Sequence, residues 1–133
     1  MKTVLFLCTH NSARSQMAEA YLNKLYGDRY KARSAGIYPT RINPYVVKVM
    51  AEEDIDLSAA RSKSIEEYLD RDLDLVVTVC DSAREACPVF PGGELVHHSF
   101  RDPSTITGSE EEVLAQVREI RDEIKDWVKV TFG

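Results

Sequence analysis

The chain has only three cysteines, an odd number, so they cannot all be paired at once. No apolar run approaches the roughly 20 residues that a membrane-spanning helix requires. There is also no internal repeat, low-complexity tract or linker-like stretch, which leaves the 133 residues as one domain, 1–133. Neither sign of charge is in large excess: seventeen Lys and Arg stand against twenty-two Asp and Glu, a formal net charge of −5. That mildly acidic balance excludes a general nucleic-acid or membrane-surface binder, because nothing global attracts phosphates. The first residues, Met1 to Cys8, reach polar positions too soon for a signal peptide, so a cytosolic location is expected. In that compartment three cysteines point to reactive, metal-binding or simply buried thiols rather than to a permanent disulfide framework.

What is present is a regular alternation of elements. Val4-Leu5-Phe6-Leu7 reads as a strand buried on both faces, and Met17, Ala18, Tyr21, Leu22 and Leu25 follow at helical spacing as far as Gly27. Tyr30 to Ala35 forms a second strand, closed by Gly36. Asn43-Pro44 starts a helix whose buried face is Val46, Val47, Val49 and Met50. Ser64 and Glu67 have capping-box spacing for a short helix. Leu75 to Val79 is a third strand ending at Cys80, and Leu95 to Phe100 a fourth. Ser109 with Glu112 caps a last helix with the stripe Val113, Leu114, Val117, Ile120, Ile124, Trp127 and Val128. Strands alternating with helices predict an α/β fold with a parallel sheet covered on both faces. Sites in such folds lie beyond the carboxyl ends of the strands, where Cys8, Cys80 and Asp102 fall.

Cys8-Thr9-His10-Asn11-Ser12-Ala13-Arg14-Ser15 has the form Cys-x5-Arg-Ser between a buried strand and an amphipathic helix. The backbone amides of Thr9 to Arg14, with the positive end of the helix, form a cup for a tetrahedral oxyanion. Arg14 supplies a planar fork for two oxygens, and the same field stabilises a thiolate on Cys8. Ser15 is placed to donate a hydrogen bond to that sulfur. Asp102, stiffened by Pro103, is a carboxylic acid that another loop can bring to a leaving oxygen. His10 is read as a solvated residue of the loop rim, and Arg29, Lys31, Arg33 and Arg41 as a solvated patch. Cys80, Cys87, His97 and His98 do not make a zinc site: the spacing is wrong, and adjacent strand residues point to opposite faces.

With these motifs the chain resembles the low-molecular-weight protein tyrosine phosphatase fold along essentially its whole length. The resemblance implies a three-layer α/β/α architecture around a four-stranded parallel sheet. It also implies Cys8 as nucleophile, Arg14 as oxyanion clamp and Asp102 as general acid. Cys80 and Cys87, with Pro88 following, are similar to the thioredoxin-coupled arsenate reductases built on that fold. In a helix, seven residues separate the two sulfurs by about 10 Å along the axis, whereas a disulfide needs Cα atoms within about 7 Å. Pairing them therefore requires the segment to unwind, which Pro88 and Gly92-Gly93 would ease.

The resemblance implies reduction of arsenate to arsenite by a relay through Cys8, Cys80 and Cys87, regenerated by thioredoxin or a similar dithiol. It implies phosphate or sulfate as analogues of arsenate, no metal or organic cofactor, no nucleic-acid or membrane partner, and a monomer. Ala13 gives the loop no second thiol. Ser104-Thr105 stand where a phosphatase of this fold carries an aromatic residue after Asp-Pro. The second reading is a phosphatase in which Cys80 and Cys87 sense oxidation, and the third a noncatalytic anion-binding or redox-sensing module. Some relatives hold a monovalent cation through groups matching Asn11, Glu19, Ser34 and an aspartate. Lys63 occupies the aspartate's place, so its ammonium is expected to stand in for the ion near Glu19 and Asn11.

Overall fold

In the computed structural model, which describes residues 1–87 and 93–133, four strands form one parallel sheet in the order β2-β1-β3-β4. The strands are β1 (Lys2–Cys8), β2 (Tyr30–Gly36), β3 (Leu75–Thr78) and β4 (Glu94–His97). The helices are α1 (Arg14–Tyr26), α2 (Pro44–Ala51), α3 (Asp81–Ala86) and α4 (Glu110–Phe132). Central β1 is fully buried from Val4 to Leu7, as the continuous apolar run requires.

The helices lie on both faces. Phe6 packs edge-on against Trp127 and Phe132 of α4, and α4 in turn lies against α1 and α2. Phe6 and Val77 are register partners, so the next residue of β3, Thr78, faces away from α4, toward α3. Pairing Arg118 and Arg121 with Glu52 ties α4 to the end of α2. Among the described residues no helix is long and apolar enough to cross a membrane.

Local signals set the boundaries. The Asn43 side chain accepts from the Tyr45 amide with Pro44 at the first helical position, and Ser109 accepts from the Glu112 amide. Ser64 and Glu67 form a reciprocal capping box, although the turn that it opens, Ile65–Tyr68, is a 3₁₀ helix. Three expectations change. Val47 of α2, and Leu114 and Trp127 of α4, are only partly buried. β3 stops at Thr78 rather than Val79. β4 is shorter than Leu95 to Phe100, because the chain leaves the edge of the sheet after His97. His98 and Phe100 still donate to the Thr78 and Val79 carbonyls at 3.0 and 3.1 Å, which steers the backbone into the Asp102 loop. Leu95 is exposed on this edge strand. Of the stretch expected to ease unwinding, Pro88 and Gly92 lie outside the described residues, and Gly93 is half-buried.

Candidate active site

The loop from Thr9 to Ala13 is held by its carbonyls. Ile37, Tyr38, Thr40 and Asn43 donate their amides to the carbonyls of Cys8, Thr9, His10 and Ser12 at 2.8 to 3.3 Å. The Asn11 carbonyl accepts from the Ser62 hydroxyl at 2.9 Å and from the buried Gln16 amide at 3.2 Å. With the carbonyls engaged from outside, the amides of the loop are left for the inside of the turn. The N-cap of α1 is Ala13, which has no side chain to cap it, and the first turn holds no acidic residue. The amides at this helix start and its positive end therefore remain available to an anion.

Asn11 is the fulcrum of the turn. It has a φ of 51°, a left-handed conformation that asparagine tolerates better than most residues. It is fully buried, its Oδ1 accepts from the Lys63 amide and from Gln16 Nε2, both at 2.8 Å, and its Nδ2 donates to Ser15 Oγ at 2.8 Å. Ser15 Oγ lies 2.8 Å from Cys8 Sγ. Since the hydroxyl oxygen already accepts from Asn11, its hydrogen is directed to the sulfur. Gly36 completes the seat: a Cβ there would lie 2.7–2.8 Å from backbone atoms of Asn11, His10 and Thr9.

Arg14 is buried at the start of α1. One nitrogen donates to the Phe100 carbonyl at 3.2 Å, and another lies 3.7 Å from Asp102 Oδ2. The other Asp102 oxygen accepts from the amide and hydroxyl of Ser104 at 2.9 and 2.8 Å. One carboxylate oxygen thus braces its own loop while the second faces the cup. The exposed His10 lines a groove of about 400 Å³ beside the loop, shared with Ser12, Tyr45, Pro103 and Ile106.

The second thiol joins the same site. Cys80 is buried, and its sulfur lies 3.4 Å from Thr9 Oγ1 and accepts from the Ala83 amide at 3.4 Å, capping α3. Cys87 is the half-buried C-cap of that helix, and burial pushes its thiol pKa up. Helix α3 therefore spans the gap between the two sulfurs. His97 and His98 turn to opposite faces: His97 hydrogen-bonds to Thr78 and Asp81, whereas His98 stacks on Trp127. Among the described residues no three His, Cys, Asp or Glu side chains converge to hold a metal ion.

Lys63 meets Asn11 through its backbone amide; its ammonium donates to the Arg61 carbonyl at 3.2 Å instead. Glu19, half-buried, accepts from the Ser34 hydroxyl at 3.3 Å. Burial raises its pKa, against the opposing charge of Lys63; burial lowers that of Lys63, against Glu19.

The roles of Gln16, Gly36 and Ser62 in this site, and the contact of the Thr9 side chain with Cys80, were not apparent from the sequence. Only Gly36, closing a strand, carried a local signal, and that signal did not show what approaches it.

The chain resembles known proteins in both sequence and fold. The low molecular weight phosphotyrosine protein phosphatase family matches residues 3–130. An arsenate reductase from Halalkalibacterium halodurans is 45% identical over 133 residues, covering 99% of this chain and 95% of that protein. A solved structure described as an arsenate reductase in the phosphate binding state superposes with a TM-score of 0.82 at 29% identity, covering 97% of this chain and 95% of that one. A thioredoxin-dependent arsenate reductase from Corynebacterium glutamicum superposes at 0.67 with 27% identity, over 98% of this chain and 63% of that one.

Proposed function

The chain belongs to the low molecular weight phosphotyrosine protein phosphatase family, and we propose that it reduces arsenate to arsenite by a relay through Cys8, Cys80 and Cys87. The observation that carries this reading is the position of Cys80. Its buried sulfur hydrogen-bonds to Thr9, the residue next to the nucleophile, so a second thiol waits at the edge of the oxyanion cup. The names of the relatives support arsenate as substrate, and the Corynebacterium neighbour supports thioredoxin as reductant.

The proposed relay has three thiol steps. Arsenate sits in the cup on the loop amides and Arg14. The Cys8 thiolate, oriented by Ser15, attacks arsenic; Asp102 gives its proton to the departing hydroxyl, which leaves as water. Cys80 then attacks Cys8 Sγ. The sulfur–arsenic bond breaks, its electron pair stays on arsenic, and arsenite departs from a Cys8–Cys80 disulfide. Cys87 attacks Cys80 Sγ, releasing Cys8 as a thiolate and leaving a Cys80–Cys87 disulfide. A dithiol such as thioredoxin reduces that disulfide by exchange. The relay consumes two thiols and delivers two electrons, so no metal or organic cofactor enters. Half-burial of Cys87, which favours its protonated form, suits a thiol that acts last, after α3 has opened.

All these groups come from one chain, which supports action as a single-domain monomer, and the proposed site of action is the cytosol. The test is arsenate-dependent NADPH oxidation with thioredoxin and thioredoxin reductase supplied. Turnover should vanish when Cys8, Cys80 or Cys87 is replaced by Ser. Cys87→Ser should release one arsenite per chain and stall as a Cys8–Cys80 disulfide. Turnover surviving Cys80→Ser would overturn the relay. Aryl-phosphate hydrolysis needing only Cys8, with no arsenate turnover, would make the protein a phosphatase whose substrate's organic group lies in the groove by His10 and Tyr45.

A further inference from the structure

Three side chains make a hydrogen-bonded line on the sheet face turned away from α4. Thr78 ends β3, is fully buried, and is the register partner of His97 on β4. Thr78 Oγ1 lies 2.7 Å from His97 Nδ1, and His97 Nε2 lies 3.1 Å from Asp81 Oδ1. A carboxylate only accepts, so Nε2 carries a proton and donates to Asp81; in the neutral ring Nδ1 then accepts from the Thr78 hydroxyl. The line thus runs from the buried end of a strand to the first residue of α3.

Among the described residues, helix α3 is only lightly buried. It has six residues, of which only Ala83 is buried, and a helix that short has no stability of its own. Its first turn is capped by the Cys80 sulfur, and that cap is lost once Cys80 acts as a nucleophile. Among the described residues, the contact of Asp81 with His97, the burial of Ala83 and the packing of the half-buried Cys87 then remain. As long as α3 is helical, Cys80 and Cys87 are too far apart to bond.

We propose that His97 is a positioning residue that latches α3 to the sheet through Asp81, keeping Cys80 and Cys87 apart so that Cys80 reaches Cys8 first. The inference rests on the relay proposed above. Premature joining of Cys80 and Cys87, by exchange with a small-molecule disulfide that is reduced to its thiols, would pass to that oxidant the two electrons meant for arsenic. The latch opposes it by stabilising the dithiol form, in which the helix is intact.

The test uses the full chain with Cys8→Ser, leaving only the two thiols in question. It is equilibrated in buffers of reduced and oxidised dithiothreitol, which exchange two electrons and two protons with the Cys80–Cys87 pair. Disulfide is counted by mass after alkylation. Asp81→Ala and His97→Ala should each favour the disulfide about fivefold, a midpoint about 20 mV more negative at 29.6 mV per tenfold. The double variant should move no further than either single one, since both remove the same contact. His97→Gln, whose amide nitrogen can replace Nε2 as donor to Asp81, should recover part of the shift. Unchanged midpoints, or shifts that add in the double variant, would overturn the latch. Absence of any Cys80–Cys87 disulfide in the parent would instead overturn the relay, and the latch with it.

Discussion

The Asp102 carboxylate stands with one oxygen 3.7 Å from the Arg14 guanidinium and the other tied to Ser104 of its own loop. The proposed clamp and the proposed acid are thus brought together from distant parts of the chain, and Asp102 is also held by the amide and hydroxyl of Ser104. Asp102→Asn keeps an acceptor for Ser104 but has no proton to give. Arsenate turnover should fall about 10²- to 10⁴-fold, the usual range for a general acid. Phosphate, as a competitive ligand, should bind within a few-fold of its wild-type affinity. A variant with turnover near wild type would take the acid role away from Asp102.

Ser15 is joined to two buried partners, so its loss should have two separable effects. In Ser15→Ala, Cys8 loses the hydroxyl that lies 2.8 Å from its sulfur. A hydrogen bond to a charged group contributes about 1.5–3 kcal/mol, so alkylation of Cys8 by iodoacetamide at neutral pH should slow about tenfold or more. Asn11 Nδ2, fully buried, loses its acceptor as well. Leaving such a donor unsatisfied costs about 1–3 kcal/mol, which should appear as a lower midpoint in urea. Unchanged alkylation with lowered stability would leave Ser15 a purely structural residue.

Strand β2 is also part of the site, because the loop rests on Gly36. A Cβ at this position would lie 2.7–2.8 Å from backbone atoms of Asn11, His10 and Thr9, none of which can move without reshaping the cup. Gly36→Ala should therefore weaken phosphate binding and arsenate turnover together, measured by titration and by the coupled assay. Retention of both at wild-type levels would show that the loop adapts at no cost.

The order of the strands and helices could be read from the sequence because their signals are local. A buried run such as Val4 to Leu7, a cap such as Asn43 before Pro44, or a box such as Ser64 with Glu67 lies within a few residues. The positions of Cys8, Cys80 and Asp102 beyond the strands follow from that regularity. What could not be read is the support beneath them. Asn11 is held by Ser62 and Lys63, Arg14 by the Phe100 carbonyl, and Thr9 meets Cys80, contacts that join segments 51 to 86 residues apart. Such contacts depend on loop paths and leave no periodic trace in the residues that make them. β4 was read too long for a related reason: hydrogen bonding to Thr78 and to Val79, just past β3, continues through Phe100 while the chain is already turning away.

Behind the loop, Glu19 and Lys63 provide a test that does not depend on turnover. Burial raises the pKa of Glu19, so the folded chain binds its proton more tightly than the unfolded chain does. An acid shifted this way contributes stability at low pH that is lost as pH rises through its folded pKa. Glu19→Gln removes that loss. The stability of the variant relative to wild type should therefore increase as pH rises from the ordinary glutamate range, near 4.5, toward neutrality. The lowered pKa of Lys63 acts in the opposite sense, since the cost of burying its ammonium is relieved as pH rises through its folded pKa. Midpoints of urea unfolding at matched ionic strength measure the difference, and a flat or opposite slope would show that Glu19 is effectively solvated. If the Lys63 charge does the work of a bound monovalent ion, replacing sodium by potassium should change neither turnover nor melting temperature in the wild type. A specific gain in both with potassium would show that an ion is needed despite Lys63.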